Sequence, residues 1–190
     1  MPLPQSVSRE FLTRRTVVCE GYSRADGLMD IEGHLVDVRG YDTNNEWRGC
    51  LRAGEAAHDM WVRLTIDEQL TIVEAVSCTD GAPYPSCRDI TPHTQRLVGL
   101  KIAGGFKREM RARIGHTEGC THIVALMEEM AGVAIQTLAG RRRDRGTREQ
   151  LSTFTARDPG RPALLDTCHS YAADSPVVAR LWPMHYRPPK

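Results

Sequence analysis

Two segments near the start of the chain have strand-like patterns of apolar and polar residues. Residues 13–22 are rich in β-branched side chains, and within residues 28–41 three apolar side chains share one parity while three polar ones share the other. A period of two is typical of a strand with one buried face, so the pattern predicts two strands joined by a short turn. In the second segment the apolar set is Met29, Ile31 and Leu35, and the polar set is Asp30, Glu32 and His34.

The next part of the chain has the clearest pattern of a β-hairpin. Residues 60–66 and 70–76 are strand-like, and Asp67-Glu68-Gln69 between them reads as a tight turn. Residues 42–57, which precede the hairpin, are predicted to be loop because they contain Asp, Asn and Gly turn residues.

Beyond the hairpin the period becomes helical. Residues 88–101 and 106–114 are predicted as helices, and a long helix is predicted over residues 121–138, with Gly140 as its C-cap. Strands followed by helices indicate an α+β domain. We expect an antiparallel sheet of three to four strands with the helices packed on one face, followed by a C-terminal tail.

The predicted domain organisation has four parts. Residues 1–12 form an N-terminal tail, residues 13–140 the α+β domain, residues 141–163 a linker, and residues 164–190 a C-terminal segment that docks on the domain because it contains apolar residues.

Composition narrows the classes of function. The formal net charge is +1 and 41% of residues are hydrophobic, which allows a core and gives no reason to expect nucleic acid as a partner. There is no run of eighteen apolar residues and no apolar leader, so we expect no membrane association and a cytoplasmic location. A homodimer is left open. In the cytoplasm the six cysteines would be core residues, metal ligands or nucleophiles.

Four residues form the candidate metal site. His58 precedes the first hairpin strand, so it lies at the open end of the hairpin, and the loop after the second strand delivers Cys87 near that end. Cys120 and His122 begin the long helix, where the helix dipole favours a thiolate. Two sulfurs and two imidazoles are the ligands of a tetrahedral zinc site, with iron or an iron–sulfur cluster as the alternative.

Three further residues are candidates for catalysis. Asp59 and Asp80 are expected to orient a ligand histidine or act as a base, and Tyr84 to donate a proton. Their ordinary roles would be loop capping and packing. A metal-free alternative is a thiol nucleophile, Cys120 or Cys87, with His122 or His58 as its base.

Residues 54–66 resemble the segment that enters the central hairpin of NifU/IscU-type iron–sulfur scaffold proteins. The resemblance extends over residues 54–138 and implies that His58 stands where a scaffold cysteine ligand would, that Cys87 falls near the second cysteine, and that Cys120 and His122 resemble the His-Cys pair of the final helix. Met60 replaces the scaffold's aspartate, and the His-Cys order is reversed. These departures favour a stable metal over an exchangeable cluster.

Most of the chain is similar to a bacterial family catalogued as domain of unknown function 2889. The strings that carry this resemblance are Asp30-Ile31-Glu32-Gly33-His34-Leu35-Val36-Asp37, His58-Asp59-Met60-Trp61, Ala82-Pro83-Tyr84-Pro85-Ser86-Cys87, Gly119-Cys120-Thr121-His122 and Asp166-Thr167-Cys168-His169. The resemblance implies a substrate from the catabolism of aromatic or acyl compounds.

The expected function is therefore a metal-dependent lyase or hydrolase that acts on a small aromatic or acyl substrate. Two alternatives belong to other classes. One is an iron–sulfur or metal-carrying scaffold protein, and the other is a binding module with a structural zinc.

Overall fold

The computed structural model describes residues 3–143, 160–162 and 164–189. The chain divides into two compact units, Met1–Thr137 and Leu138–Lys190, and each is described by itself. The predicted linker at 141–163 lies mostly outside the described residues.

A four-stranded antiparallel sheet forms the centre of the first unit, in the order β1-β2-β5-β6. Strands β3 and β4 form a separate hairpin. Helices follow the strands along the chain, so the predicted α+β class is confirmed. The strands are β1 (Thr13–Ser23), β2 (Met29–Arg39), β3 (Thr43–Asn45), β4 (Gly49–Leu51), β5 (Ala56–Ile66) and β6 (Ile72–Gly81). The α-helices are α1 (Phe106–Ile114), α2 (Thr121–Arg143) and α3 (Pro176–Leu181).

The predicted strand pairs are confirmed, and the turn between β5 and β6 is fixed by one carboxylate. Asp67 accepts hydrogen bonds from the backbone N–H groups of Gln69 and Thr71, both at 2.8 Å. Leu70 takes a left-handed conformation (φ 62°) there, so the turn is slightly longer than the three residues expected.

Two segments differ from the prediction. The expected loop at 42–57 contains the β3–β4 hairpin and the start of β5; Asn45 closes that hairpin by accepting backbone N–H groups through its side chain, which is turn chemistry used between strands. The helix expected at 88–101 was wrong. This segment holds only short 3₁₀ turns, with Pro92 near the start of one and a positive φ at Gly99 just after it.

The helix α2 packs on one face of the sheet, which we call the inner face. A Cβ built on Gly33 of β2 would lie 2.6 Å from Met130 Sδ and 2.9 Å from Leu126 Cδ1, so the helix approaches the strand where a side chain is missing. The predicted C-cap at Gly140 was wrong, since α2 continues to Arg143. By length and composition α2 could cross a membrane, but a core helix passes the same test, and Leu126 and Met130 are fully buried.

The second unit contains α3, which begins at Pro176 after Ser175. The Ser175 hydroxyl accepts the Val178 N–H at 3.1 Å and caps the helix. Asp166 accepts the backbone N–H of Ala173 at 2.9 Å. These bonds fold the segment locally, and its predicted docking on the first domain stays a prediction.

Candidate metal centre

Three polar side chains form a row across the inner face of the sheet, near one end. Antiparallel register places Arg15 of β1 opposite Asp37 of β2, and Asp37 opposite His58 of β5. Residues opposite one another on antiparallel strands share a face and stand close together. Arg15 donates two hydrogen bonds of 2.7 Å to the Asp37 carboxylate. His58 Nδ1 lies 3.0 Å from Asp37 Oδ2.

Helix α2 adds a second histidine above this row. His122, in its first turn, brings Nε2 to 3.6 Å from Asp37 Oδ2. Its ring stacks on that of His58, with centroids 3.8 Å apart and planes 30° apart. One carboxylate oxygen therefore faces an imidazole nitrogen from each of two histidines. We call Asp37, His58 and His122 the metal triad.

The spacing between Asp37 and each histidine is close to that of two metal ligands. The three ligand atoms of the metal triad all lie within 4.8 Å of one another. Two ligands about 2.05 Å from a tetrahedral ion stand about 3.4 Å apart. The separations of 3.0 and 3.6 Å from Asp37 Oδ2 to His58 Nδ1 and to His122 Nε2 fall on either side of that value. The third separation, between the two imidazole nitrogens, is no more than 4.8 Å.

Electrostatics favours the protonation states that ligation needs. Burial lowers the pKa of His58 against the opposing effect of Asp37. Burial also lowers the pKa of His122, helped by the charges of His58 and Arg15. Burial would raise the pKa of Asp37, but the hydrogen bond and charge of Arg15, followed by His58, lower it overall. At neutral pH the site therefore offers two neutral imidazoles and a carboxylate.

Cys120 lies beside the metal triad at the start of α2. Its Sγ is 3.6 Å from His122 Nδ1 and 3.9 Å from Met60 Sδ. The same residue lines a cavity of about 300 Å³. The cavity wall also includes Arg111, Ile114, Gly115, His116, Thr121, Val124, Ala125 and Glu128.

The four residues predicted as metal ligands therefore do not form one group. His58 and His122 converge, and Cys120 adjoins His122. Among the described residues, the group of mutually close ligand atoms contains neither Cys120 nor Cys87. Cys87 lies in a short 3₁₀ turn over residues 85–88.

The three predicted catalytic residues lie away from this group. Asp59 contacts His34, which is not one of the predicted ligands, at 2.7 Å between Oδ1 and Nε2 on the opposite face of the sheet. Asp80 accepts a hydrogen bond from the Cys78 thiol at 3.0 Å. Tyr84 is half exposed and meets the Trp47 ring edge-on, with centroids 5.0 Å apart.

Asp37 and Arg15 were not among the site residues predicted from the sequence. The signal was present in β2, because Asp37 continues the parity of the buried residues Met29, Ile31 and Leu35. A carboxylate on a buried parity needs a partner. Arg15 becomes that partner only through the β1–β2 register, which the pattern of β1 alone does not fix.

Comparison with known proteins gives one match. The model of the family described as protein of unknown function (DUF2889) matches residues 13–136, a range that contains the whole metal triad. No curated protein and no solved structure matches.

Proposed function

The chain belongs to the DUF2889 family, whose description assigns no activity, and from the site we propose that it is a metal-dependent enzyme, a lyase or hydrolase acting on a small substrate. Zinc is the first choice of metal. Iron is the second, because two histidines and one carboxylate also hold ferrous iron in enzymes with open coordination positions.

The observation that carries the proposal is the convergence of Asp37, His58 and His122. They come from β2, β5 and α2, which are distant in sequence, yet their ligand atoms lie within 4.8 Å of one another. Arg15 donates a hydrogen bond to each oxygen of the Asp37 carboxylate. Such an outer partner fixes the orientation of a ligand and is typical of metal sites.

The number of ligands favours a catalytic over a structural role. Structural zinc is usually closed by four protein ligands, whereas catalytic zinc has three and keeps a position for water or substrate. The triad side chains keep 14–21% of their surface exposed, so solvent and a small molecule have a path to them.

A metal ion in this position would polarise a substrate oxygen or lower the pKa of a bound water. Arg15 would then have a second role, in addition to orienting Asp37. Its guanidinium, 45% exposed, stands beside Asp37 and can stabilise negative charge that develops on the substrate. Cys120 borders the cavity and lies next to His122, so it can pass or accept a proton there.

The size of the cavity beside Cys120 fits a small substrate. A volume of about 300 Å³ lies at the lower end of the range of roughly 300–1,000 Å³ typical of small-molecule sites. Its wall includes the apolar side chains of Ile114, Val124 and Ala125. This lining is compatible with an aromatic or acyl group.

One metal-free candidate has a specific observation in its favour. Cys120 Sγ, the two nitrogens of His122 and Asp37 Oδ2 follow one another at 3.6 Å and 3.6 Å, which is the order of a thiol nucleophile, its base and an orienting carboxylate. A cluster scaffold has less support, because exchangeable clusters need several thiolates and the triad contains none. A structural zinc would need Cys120 as a fourth ligand.

The test is the metal content of protein purified without a histidine tag, for the wild type and for Asp37→Asn, His58→Gln and His122→Gln. We expect about one equivalent of zinc or iron in the wild type and less than a tenth in each variant. The matched controls are His34→Gln and Asp59→Asn, which remove a His–Asp pair of similar geometry from the opposite face.

The outcomes separate the candidates. Full metal content in both controls together with loss in the triad variants supports the metal site. A wild type without metal whose thiol reacts rapidly with iodoacetamide, in a manner that requires His122, would replace the proposal with the thiol nucleophile. Metal that is lost only on Cys120→Ser would indicate a site built on sulfur.

A further inference from the structure

A small hollow lies at the end of the sheet beside His58. Its volume is about 40 Å³, and it is bordered by β2, the β3–β4 hairpin and the start of β5. Three of its lining residues are arginines, Arg39, Arg48 and Arg52, and one is Glu55. The other lining residues are Tyr41, Thr43, Asn45, Leu51, Ala57 and Pro83. We call this feature the anion hollow.

The positive charge in the anion hollow is only partly neutralised. Arg52 pairs with Asp42 at 2.7 Å. Arg48 instead donates to the backbone carbonyl oxygens of Ala56 and Ala57, at 3.1 and 3.3 Å. Within the part of the chain that the structure describes, no carboxylate comes within 4.0 Å of the guanidinium of Arg39 or Arg48. The lining residues therefore carry three guanidinium groups against one carboxylate, that of Glu55, which is a net charge of +2.

Size limits the occupant. A cavity needs roughly 10–15 Å³ by this measure to hold one water, so 40 Å³ has room for about three water-sized groups. A carboxylate has three heavy atoms. The hollow therefore fits an acid group and leaves the rest of a ligand outside it.

The anion hollow is close to the metal triad. Arg39 follows Asp37 by two residues on β2, which puts their Cα atoms about 7 Å apart. Ala57, in the hollow's wall, is the neighbour of His58. A ligand whose acid group occupies the hollow would extend toward the triad over the length of a few bonds.

We propose that the anion hollow binds the carboxylate of a small organic acid through Arg39 and Arg48. Binding in the hollow stands on its own observations. Its assignment as the recognition site for the substrate's acid group rests on the proposed metal-dependent function, and it makes that substrate a small carboxylic acid.

The test is titration of the full-length protein with acetate and benzoate at constant ionic strength, followed by NMR or calorimetry, with inorganic phosphate as the comparison anion. We expect the carboxylates to bind. Arg39→Gln should weaken binding about tenfold or more, because it removes a donor to a charged oxygen. Arg48→Gln should do the same, but Arg48 also bonds the backbone, so Arg39→Gln decides. Arg63→Gln, on the opposite face of the sheet, is the matched control and should change nothing.

Asp37→Asn separates this proposal from the metal site. Carboxylate binding that persists in this variant after chelation supports the hollow even if the metal site fails. Binding that disappears with the metal would place the acid on the metal ion and overturn the proposal. Binding of phosphate without acetate or benzoate, or carboxylate binding unaffected by Arg39→Gln, would also overturn it.

Discussion

Replacing Asp37 by Asn tests the metal triad and its support in one variant. Asn keeps the size of the side chain but removes the charge. Asp37 accepts two bonds of 2.7 Å from Arg15 and one of 3.0 Å from His58. Hydrogen bonds to charged groups contribute about 1.5–3 kcal/mol each, but Asn keeps one acceptor oxygen and Arg15 is half exposed to solvent, which screens the pair. The expected loss for the metal-free protein is about 1–2 kcal/mol.

Urea unfolding in the presence of a chelator measures this loss. With a slope of about 2 kcal/mol per molar urea, the midpoint should fall by about 0.5–1 M. Zinc at about one hundred times its dissociation constant should stabilise the wild type by about 2.7 kcal/mol. Asp37→Asn should lose most of that gain. Asp59→Asn, which removes a carboxylate from the other face, should retain it.

The pH dependence gives an independent check of the charge. The pKa of Asp37 is lowered in the folded protein, so the unfolded state binds the proton first as pH falls. The stability contributed by the carboxylate is therefore present well above its unfolded pKa of about 3.9 and disappears as pH falls through its folded pKa. The difference in free energy of unfolding between wild type and Asp37→Asn should therefore disappear as the pH falls through that range. A stability difference that does not change with pH, or a variant that gains as much stability from zinc as the wild type, would contradict the role of Asp37 as a charged metal ligand.

Other predictions follow from the same geometry. The pKa values of His58 and His122 are lowered in the folded protein, so these rings are protonated more readily once the chain unfolds. The metal-free protein should therefore lose stability as pH falls below about 6.5. Urea midpoints between about pH 5 and 8 check this. Gly33→Ala should destabilise the protein by about 1–3 kcal/mol, because its Cβ would overlap Met130 and Leu126, and an unchanged melting temperature would contradict the packing of α2. Gly132→Ala, in the same helix with open space around it, should instead stabilise the protein by about 0.5–1 kcal/mol in the same thermal assay. Cys120→Ser should leave metal content unchanged while altering turnover once a substrate is known, and loss of metal would make the thiol a ligand.

Local periodicity was enough to predict most of the fold. The alternation in β2 and β5 is strong because one face is fully buried, and the helical spacing in α2 is long enough to be unambiguous. The segment at 88–101 was mispredicted because its apolar residues, such as Leu97 and Leu100, are buried by tertiary contacts rather than by a helical face. Local pattern carries no information about that kind of burial.

The site was only half predictable, for a related reason. His58 and His122 were predicted as ligands because each is a potential metal ligand at the start of a predicted strand or helix. Asp37 and Arg15 depend on register between β1, β2 and β5, which a single sequence specifies only when the strands are assembled. The same register explains Asp59, which is adjacent to His58 in sequence but points to the other face and bonds His34.

X-ray absorption at the zinc edge of zinc-loaded protein, purified without a tag, tests the metal centre most directly. The metal triad predicts a first shell of nitrogen and oxygen only, at about 2.0–2.2 Å, with the scattering pattern of two imidazoles. A sulfur shell at about 2.3 Å, or zinc that binds without any imidazole signal, would contradict it.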